Sequence, residues 1–197
     1  MFYLLLTLTS KRWGLREELG IGYVDAALKS AGFSGSIYTL DPDNSDNLKD
    51  FTYLLLKTKP KLIGISCSHS NVEVFKLIRI SHVIRQHTLF SHITAGGYFA
   101  TFNAQILLDQ WPDLDSVVVG EGEFTVIELA QKITDSVAPI HCPGLQVRGY
   151  PYIPRPPVEC LDTLNNPSRN IKGFEREQLR AISTSRGCMA HCTFCNV

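Results

Sequence analysis

Five times within about the first 135 residues, a short apolar run is followed by a stretch with helical periodicity, and this alternation leaves few architectures open. Phe2–Leu8 reads as a buried strand, and a helix is expected over about Glu17–Ala31. In that helix Leu19, Gly22, Tyr23, Ala26 and Ala27 share a face, and Gly32 provides the stop. Ser36–Leu40 is a second strand, followed by Asp41-Pro42-Asp43-Asn44 as turn chemistry and a helix over about Asp46–Lys57 that closes at Pro60. Leu62–Ser66 is the clearest strand. Ser70-Asn71-Val72-Glu73 is a capping box opening a helix to about Gln86, with Leu77, Ile80 and Ile84 on one face. His92–Ala95 ends at Gly96-Gly97, and a helix near Asn103–Gln110 stops at Trp111-Pro112. Ser116–Val119 is the fifth strand, and Gly120-Glu121-Gly122-Glu123 turns into a helix that aligns Val126, Leu129, Ala130 and Ile133.

Strands separated by helices pair in parallel, with right-handed crossovers. The expected fold class is therefore α/β, with a five-stranded, mainly parallel, doubly wound sheet. Such sheets bind ligands beyond the carboxyl ends of their strands. Three loops at that edge are small, polar or glycine-rich: Ser66-Cys67-Ser68-His69, Gly96-Gly97-Tyr98 and Gly120-Glu121-Gly122. Each admits a plainer reading. The glycines serve as tight turns, Glu121 and Glu123 complement a helix dipole, and His69 is an exposed polar residue. Cys67 reads as a buried filler, since no histidine-based triad accompanies it.

Residues 139–180 differ in character. They hold seven of the ten prolines (Pro139, Pro143, Pro151, Pro154, Pro156, Pro157 and Pro167) and read as an extended linker, with one short strand at Leu145–Val147. A new strand is expected at Ala181–Thr184. Just after it come Cys188, Cys192 and Cys195, spaced C-x3-C-x2-C. Three thiolates in eight residues suit an iron–sulfur cluster and would leave one iron of a [4Fe–4S] cube open. Zinc remains the other reading, although a structural zinc site takes four ligands and His191 is poorly placed as the fourth.

Lys+Arg and Asp+Glu both number 19, so no electrostatic footprint for nucleic acid or an anionic membrane is visible. Cys67, Cys142 and Cys160 are scattered, as in reduced thiols of a cytoplasmic protein. Phe2–Leu6 is too short for a membrane span and lacks the basic flank of a signal peptide.

The stretch Thr184-Ser185-Arg186-Gly187-Cys188, with Cys192, Phe194 and Cys195, resembles the signature of the radical S-adenosylmethionine enzymes. The resemblance implies a [4Fe–4S] cluster on Cys188, Cys192 and Cys195. It also implies S-adenosylmethionine chelated to the open iron, with Phe194 near its adenine, a 5′-deoxyadenosyl radical as product, and an electron donor such as a flavodoxin or ferredoxin. Upstream, Leu19-Gly20-Ile21-Gly22-Tyr23, Leu62–Ser66, Ala95-Gly96-Gly97, Val118–Glu123 and Pro143-Gly144-Leu145 resemble the cobalamin-binding domain that precedes the radical domain in one branch of that family. Residues 1–138 would then be that domain, 139–180 the linker, and 181–197 the first strand and cluster loop of a radical (β/α) barrel.

By this resemblance Ser66, Ser68, His69, Gly96, Gly97, Gly120, Glu121 and Gly122 would face cobalamin. The D-x-H-x-x-G cobalt-ligating motif is missing from Thr9–Glu18, so cobalt would lack a protein nitrogen on its lower face. The implied chemistry is radical methyl transfer, rearrangement or cyclisation. The alternatives are a catalytically inactive cobalamin-binding module and a zinc-holding regulatory module.

Overall fold

A computed structural model describes residues 1–8, 19–67, 71–172, 181–190 and 192–193. Its core is a seven-stranded sheet. β1 is Phe2–Leu8, β2 Ser34–Leu40, β3 Leu62–Ser66, β4 His92–Gly96, β5 Ser116–Val118, β6 Leu145–Val147 and β7 Ile171–Lys172. The strand order is β6-β5-β4-β3-β1-β2-β7. The five expected strands are all parallel, in the order 2-1-3-4-5. β7 extends the sheet in parallel beside β2, and β6 is antiparallel beside β5.

The helices are α1 (Leu19–Ser30), α2 (Ser45–Thr58), α3 (Asn71–His87), α4 (Tyr98–Phe102), α5 (Ala104–Gln110) and α6 (Glu123–Thr134). Alternation along β1 explains why they cover both faces, because successive side chains of a strand point to opposite sides. Leu4, Leu6 and Leu8 enter one core with Phe51 and Leu55 of α2, Ile80 and Ile84 of α3 and Leu107 and Leu108 of α5. Tyr3 and Leu5 enter the other with Ile21 and Leu28 of α1 and Val126, Leu129 and Ala130 of α6. The chain leaves β1 toward β2 and then returns across it to β3, so the order reverses between β1 and β3. That reversal opens a crevice at the carboxyl edge.

Local signals set the helix ends. Asn44 caps α2 by accepting from the amides of Asp46 and Asn47 at 3.0 and 3.1 Å. Lys59 ends it in the left-handed region, just before Pro60. α3 begins at Asn71, while the capping residue expected for it, Ser70, lies outside the described residues.

Three expectations need correction, and one helix adds to a fourth. The buried face of α1 includes Ile21, Asp25 and Leu28, whereas Leu19 and Tyr23 are half-buried. The shift is possible because the Asp25 carboxylate, fully buried, accepts from the Tyr3 hydroxyl at 2.7 Å and pairs with Lys29 at 2.6 Å. The helix expected near Asn103–Gln110 is α5, and the short α4 before it was not expected; the two meet at Asn103, whose side chain donates to the Phe99 carbonyl at 2.9 Å. The proline-rich stretch contributes β7 as well as β6. Finally, Ala181–Thr184 is exposed and joins no ladder. A strand needs ladder bonds to a neighbour's backbone, whereas the Ala181 carbonyl accepts from the Arg169 guanidinium at 3.0 Å.

Candidate functional site

The carboxyl ends of β3, β4 and β5 are laced into one ledge. Ser66, the last residue of β3, lies in register with Gly96 of β4, and the Cys67 amide donates to the Gly96 carbonyl at 2.7 Å. Gly97 then turns at φ 99° and ψ 176°, a conformation open in practice only to glycine. A side chain there would also collide, since a Cβ would stand 2.8 Å from the Cys67 carbonyl oxygen. The Ala100 amide reaches the same carbonyl at 3.4 Å. From α4, the Thr101 hydroxyl accepts from the Gly120 amide at 3.1 Å and joins the β4 turn to the β5 turn.

Gly120 differs from Gly97. It too has positive φ, 77°, but a Cβ there would meet nothing within 4 Å. The β5 turn therefore presents bare backbone to open space, as close approach by a large flat ligand requires. The Gly97 turn demands glycine whatever lies above it. Around the ledge, Tyr98 at the start of α4 and Phe124 at the start of α6 are exposed and offer apolar surface.

The acidic pair after β5 is engaged with the rest of the chain. Arg186 donates from Nη2 to Glu123 Oε1 at 2.5 Å, and its Nη1 pairs with Glu121 Oε1 at 3.1 Å. The guanidinium carbon stands 5.1 Å from the centre of the Tyr23 ring of α1. The second Glu121 oxygen accepts from the Val158 amide at 2.5 Å. Burial pulls the Arg186 pKa down, but the hydrogen bonds and charges of Glu123 and Glu121 outweigh it and leave the pKa raised. A groove runs alongside between α1 and α6, lined by Tyr23, Ala27, Glu123, Phe124 and Leu164. It flanks the ledge.

The structure thus brings Ser66, Gly96, Gly97, Gly120, Glu121 and Gly122 to one edge. Ser68, His69, Phe194 and Cys195 lie outside the described residues. Cys188 and Cys192 are exposed, and the Cys188 sulfur accepts from the Ala190 amide at 3.4 Å. Amide bonds of this kind also tune cluster-bound sulfur. Among the described residues no three His, Cys, Asp or Glu side chains converge as a metal site.

Sequence reasoning missed Thr101 and Tyr23 as parts of this edge, and it treated Arg186 only as lead-in to the cysteines. The edge offers backbone, hydroxyls and apolar surface, with its carboxylates engaged as described. That inventory suits holding a cofactor that brings its own reactivity. Among the described residues no helix is long and apolar enough to cross a membrane.

Comparison with known proteins agrees with this architecture. The B12 binding domain family matches residues 7–130. An uncharacterized methyltransferase of Pyrococcus horikoshii is 25% identical over 194 residues, covering 92% of this chain and 38% of that protein. The cytidylyl-2-hydroxyethylphosphonate methyltransferase of Streptomyces wedmorensis is 26% identical over 235 residues, covering 90% of this chain and 43% of that protein. The chain thus spans well under half the length of these relatives. Among solved structures, the radical S-adenosylmethionine methyltransferase TsrM of Kitasatospora setae, with cobalamin and a [4Fe–4S] cluster bound, superposes with a TM-score of 0.67 at 22% identity. That match covers 79% of this chain and 29% of TsrM.

Proposed function

The chain belongs to the B12-binding domain family, and on that premise we propose that it is the cobalamin-binding part of a radical S-adenosylmethionine enzyme, most simply a methyltransferase. The observation that carries the reading is order along the chain. A B12-binding domain over residues 7–130 stands upstream of a C-x3-C-x2-C loop that opens at Cys188, and the methyltransferase relatives match across 92% and 90% of the chain.

The ledge fits a corrin in kind. Gly120 offers bare backbone to open space, and Gly96, Gly97 and Gly122 keep the neighbouring turns free of side chains. Ser66, Ser68 and His69 after β3, with Glu121 beside the β5 turn, complete the residues we assign to the cobalamin side. Cys188, Cys192 and Cys195 are the thiolates we assign to a [4Fe–4S] cluster, with Phe194 toward the adenine of S-adenosylmethionine. When bound, the cluster supplies the electron that cleaves S-adenosylmethionine and cobalamin supplies a methyl carrier. The protein's part is to hold the two at a fixed separation and to exclude water between them. The methyltransferase names of the relatives favour methyl transfer, which we assign to an unactivated carbon, with rearrangement or cyclisation as variants of the same radical chemistry. The setting we infer is the cytoplasm, with a flavodoxin or ferredoxin as electron donor.

The test is loading under anaerobic conditions. The polypeptide that carries this chain should bind hydroxocobalamin and, after reconstitution with iron and sulfide, show brown cluster absorbance. Replacing Cys188, Cys192 and Cys195 with alanine should abolish the cluster and leave corrin binding intact. In the cob(II)alamin form, electron paramagnetic resonance should show no splitting from an axial protein nitrogen. A folded protein that takes up neither group would refute the reading, and zinc without brown absorbance would replace it with the regulatory module.

A further inference from the structure

Arg186 lies two residues before Cys188, in the segment that carries the thiolates, and its side chain ends at the β5 turn of the ledge. It meets three elements there: Tyr23 of α1, Glu121 of the β5 turn and Glu123 at the start of α6. We propose that Arg186 is a positioning residue, a clamp that sets where the cysteine loop sits relative to the glycine ledge. The proposal rests on the function above for what the loop and ledge carry, but the clamp itself does not depend on it.

Chemistry favours arginine here. A guanidinium is a rigid planar fork, able to bond two carboxylates at once and to lay its face on an aromatic ring. Glu121 and Glu123 flank Gly122, so one turn presents both acids. The Glu123 side chain is only 5% exposed, and a carboxylate that buried needs a charged partner. Glu121 is held independently through Val158, which makes the acidic side of the clamp the fixed side. Chain length does the rest, because two residues from Arg186 to Cys188 span at most about 7 Å. Lysine would keep the charge without bridging both acids. Glutamine would leave the two carboxylates facing each other.

Exchange and spin measurements on the whole protein test this, using wild type, R186Q, R186K and E123Q. Without cofactors, R186Q and E123Q should speed amide hydrogen exchange in residues 181–190 by about tenfold, the loss of one or two charge-assisted bonds. Peptides of β3 and β4 should not change, and R186K should fall between. With cob(II)alamin and a reduced cluster loaded, magnetic coupling between the two should weaken in R186Q while iron and cobalt contents stay at wild-type levels. Unchanged exchange in R186Q would overturn the clamp. Faster exchange with unchanged coupling would leave Arg186 a local tether and overturn the positioning role. If the wild-type protein loads neither group, the proposed function falls, and exchange alone then decides whether Arg186 holds the cysteine segment to the ledge. Should R186Q fail to fold, the same readings on R186K and E123Q decide.

Discussion

Replacing Gly97 with alanine should cost far more stability than the same change at Gly120, although both glycines have positive φ. At Gly97 two penalties combine. The φ 99°, ψ 176° conformation lies in a glycine-only region, worth about 1–3 kcal/mol of strain to an L residue. The new methyl would also stand 2.8 Å from the Cys67 carbonyl oxygen, a backbone atom that accepts from the Ala100 amide at 3.4 Å. Relieving that overlap means parting the β3 and β4 ends, about another 1–3 kcal/mol by analogy with overpacked cores. The total, about 2–6 kcal/mol, corresponds to a fall in Tm on the order of 10 °C for a domain of this size. At Gly120 the methyl meets nothing within 4 Å, leaving only the left-handed penalty of about 1–2 kcal/mol, or about 3–5 °C. Thermal unfolding of the cofactor-free protein, followed by circular dichroism, gives both numbers. Hydroxocobalamin titration supplies a second axis, on which G120A should weaken binding beyond its small stability loss, because its methyl projects from the bare ledge. If G97A melts within about 3 °C of G120A, the close approach of the β3 and β4 turns has been misread.

Other expectations concern the buried polar groups. D25A removes the 2.7 Å acceptor of the buried Tyr3 hydroxyl, leaving it the Asp25 backbone carbonyl at 3.3 Å, and Y3F removes a donor from the buried carboxylate; each should cost about 1–3 kcal/mol, and a loss under about 0.5 kcal/mol for either in urea unfolding would argue against a shared buried network. His92 bonds Ser116 at 2.8 Å, and burial holds its pKa below the ordinary value. Stability from the neutral ring is therefore present above the unfolded pKa of about 6.5 and is lost as pH falls through the lower folded value, so H92Q should flatten the acid limb of Tm against pH. An unchanged slope would remove His92 from that limb. Burial, reinforced by Glu128, pushes the Cys142 thiol up to about 11. Iodoacetamide at pH 8 should accordingly modify exposed Cys160 well before Cys142, and early labelling of Cys142 by mass spectrometry would contradict its burial.

The fold was legible where hydrophobic pattern and length spoke together. Leu62–Ser66 is buried on both faces, so it reads as a continuous apolar run, and the structure places it at the sheet centre with the expected bounds. What escaped had no periodic signature. Ile171–Lys172 is a strand only because Ile37 and Tyr38 of β2 lie opposite it, and two residues cannot show a period of two. Asp25 reads as solvent-facing on any helical wheel. Its burial depends on Tyr3, 22 residues earlier, whose ring lies against Gly35 of the neighbouring strand. Such a partner becomes visible only when the sheet is assembled.

The same distinction separates what could and could not be read at the ledge. Glycine pairs announce a turn, and both glycine-bearing loops, after β4 and after β5, lie where the strand order places them. Sequence alone could not tell a glycine required by its own turn from one that leaves space for something else. Gly97 and Gly120 share a sign of φ and part on what a methyl would touch, Cys67 in one case and nothing in the other. Nor could it separate a glutamate that complements a helix dipole from one that binds across the fold. Glu123 satisfies both descriptions, since it opens α6 and also takes Arg186 from 63 residues away. The position of Glu123 at a helix start is a local property, and its burial is not. A carboxylate with 5% of its side chain exposed would be costly without a cation, and the only way to have found that cation beforehand was to ask which arginine the chain could return to this edge. The cysteine segment supplies it, so the acidic turn after β5 and the arginine before Cys188 are best understood as one feature split between two distant stretches of sequence.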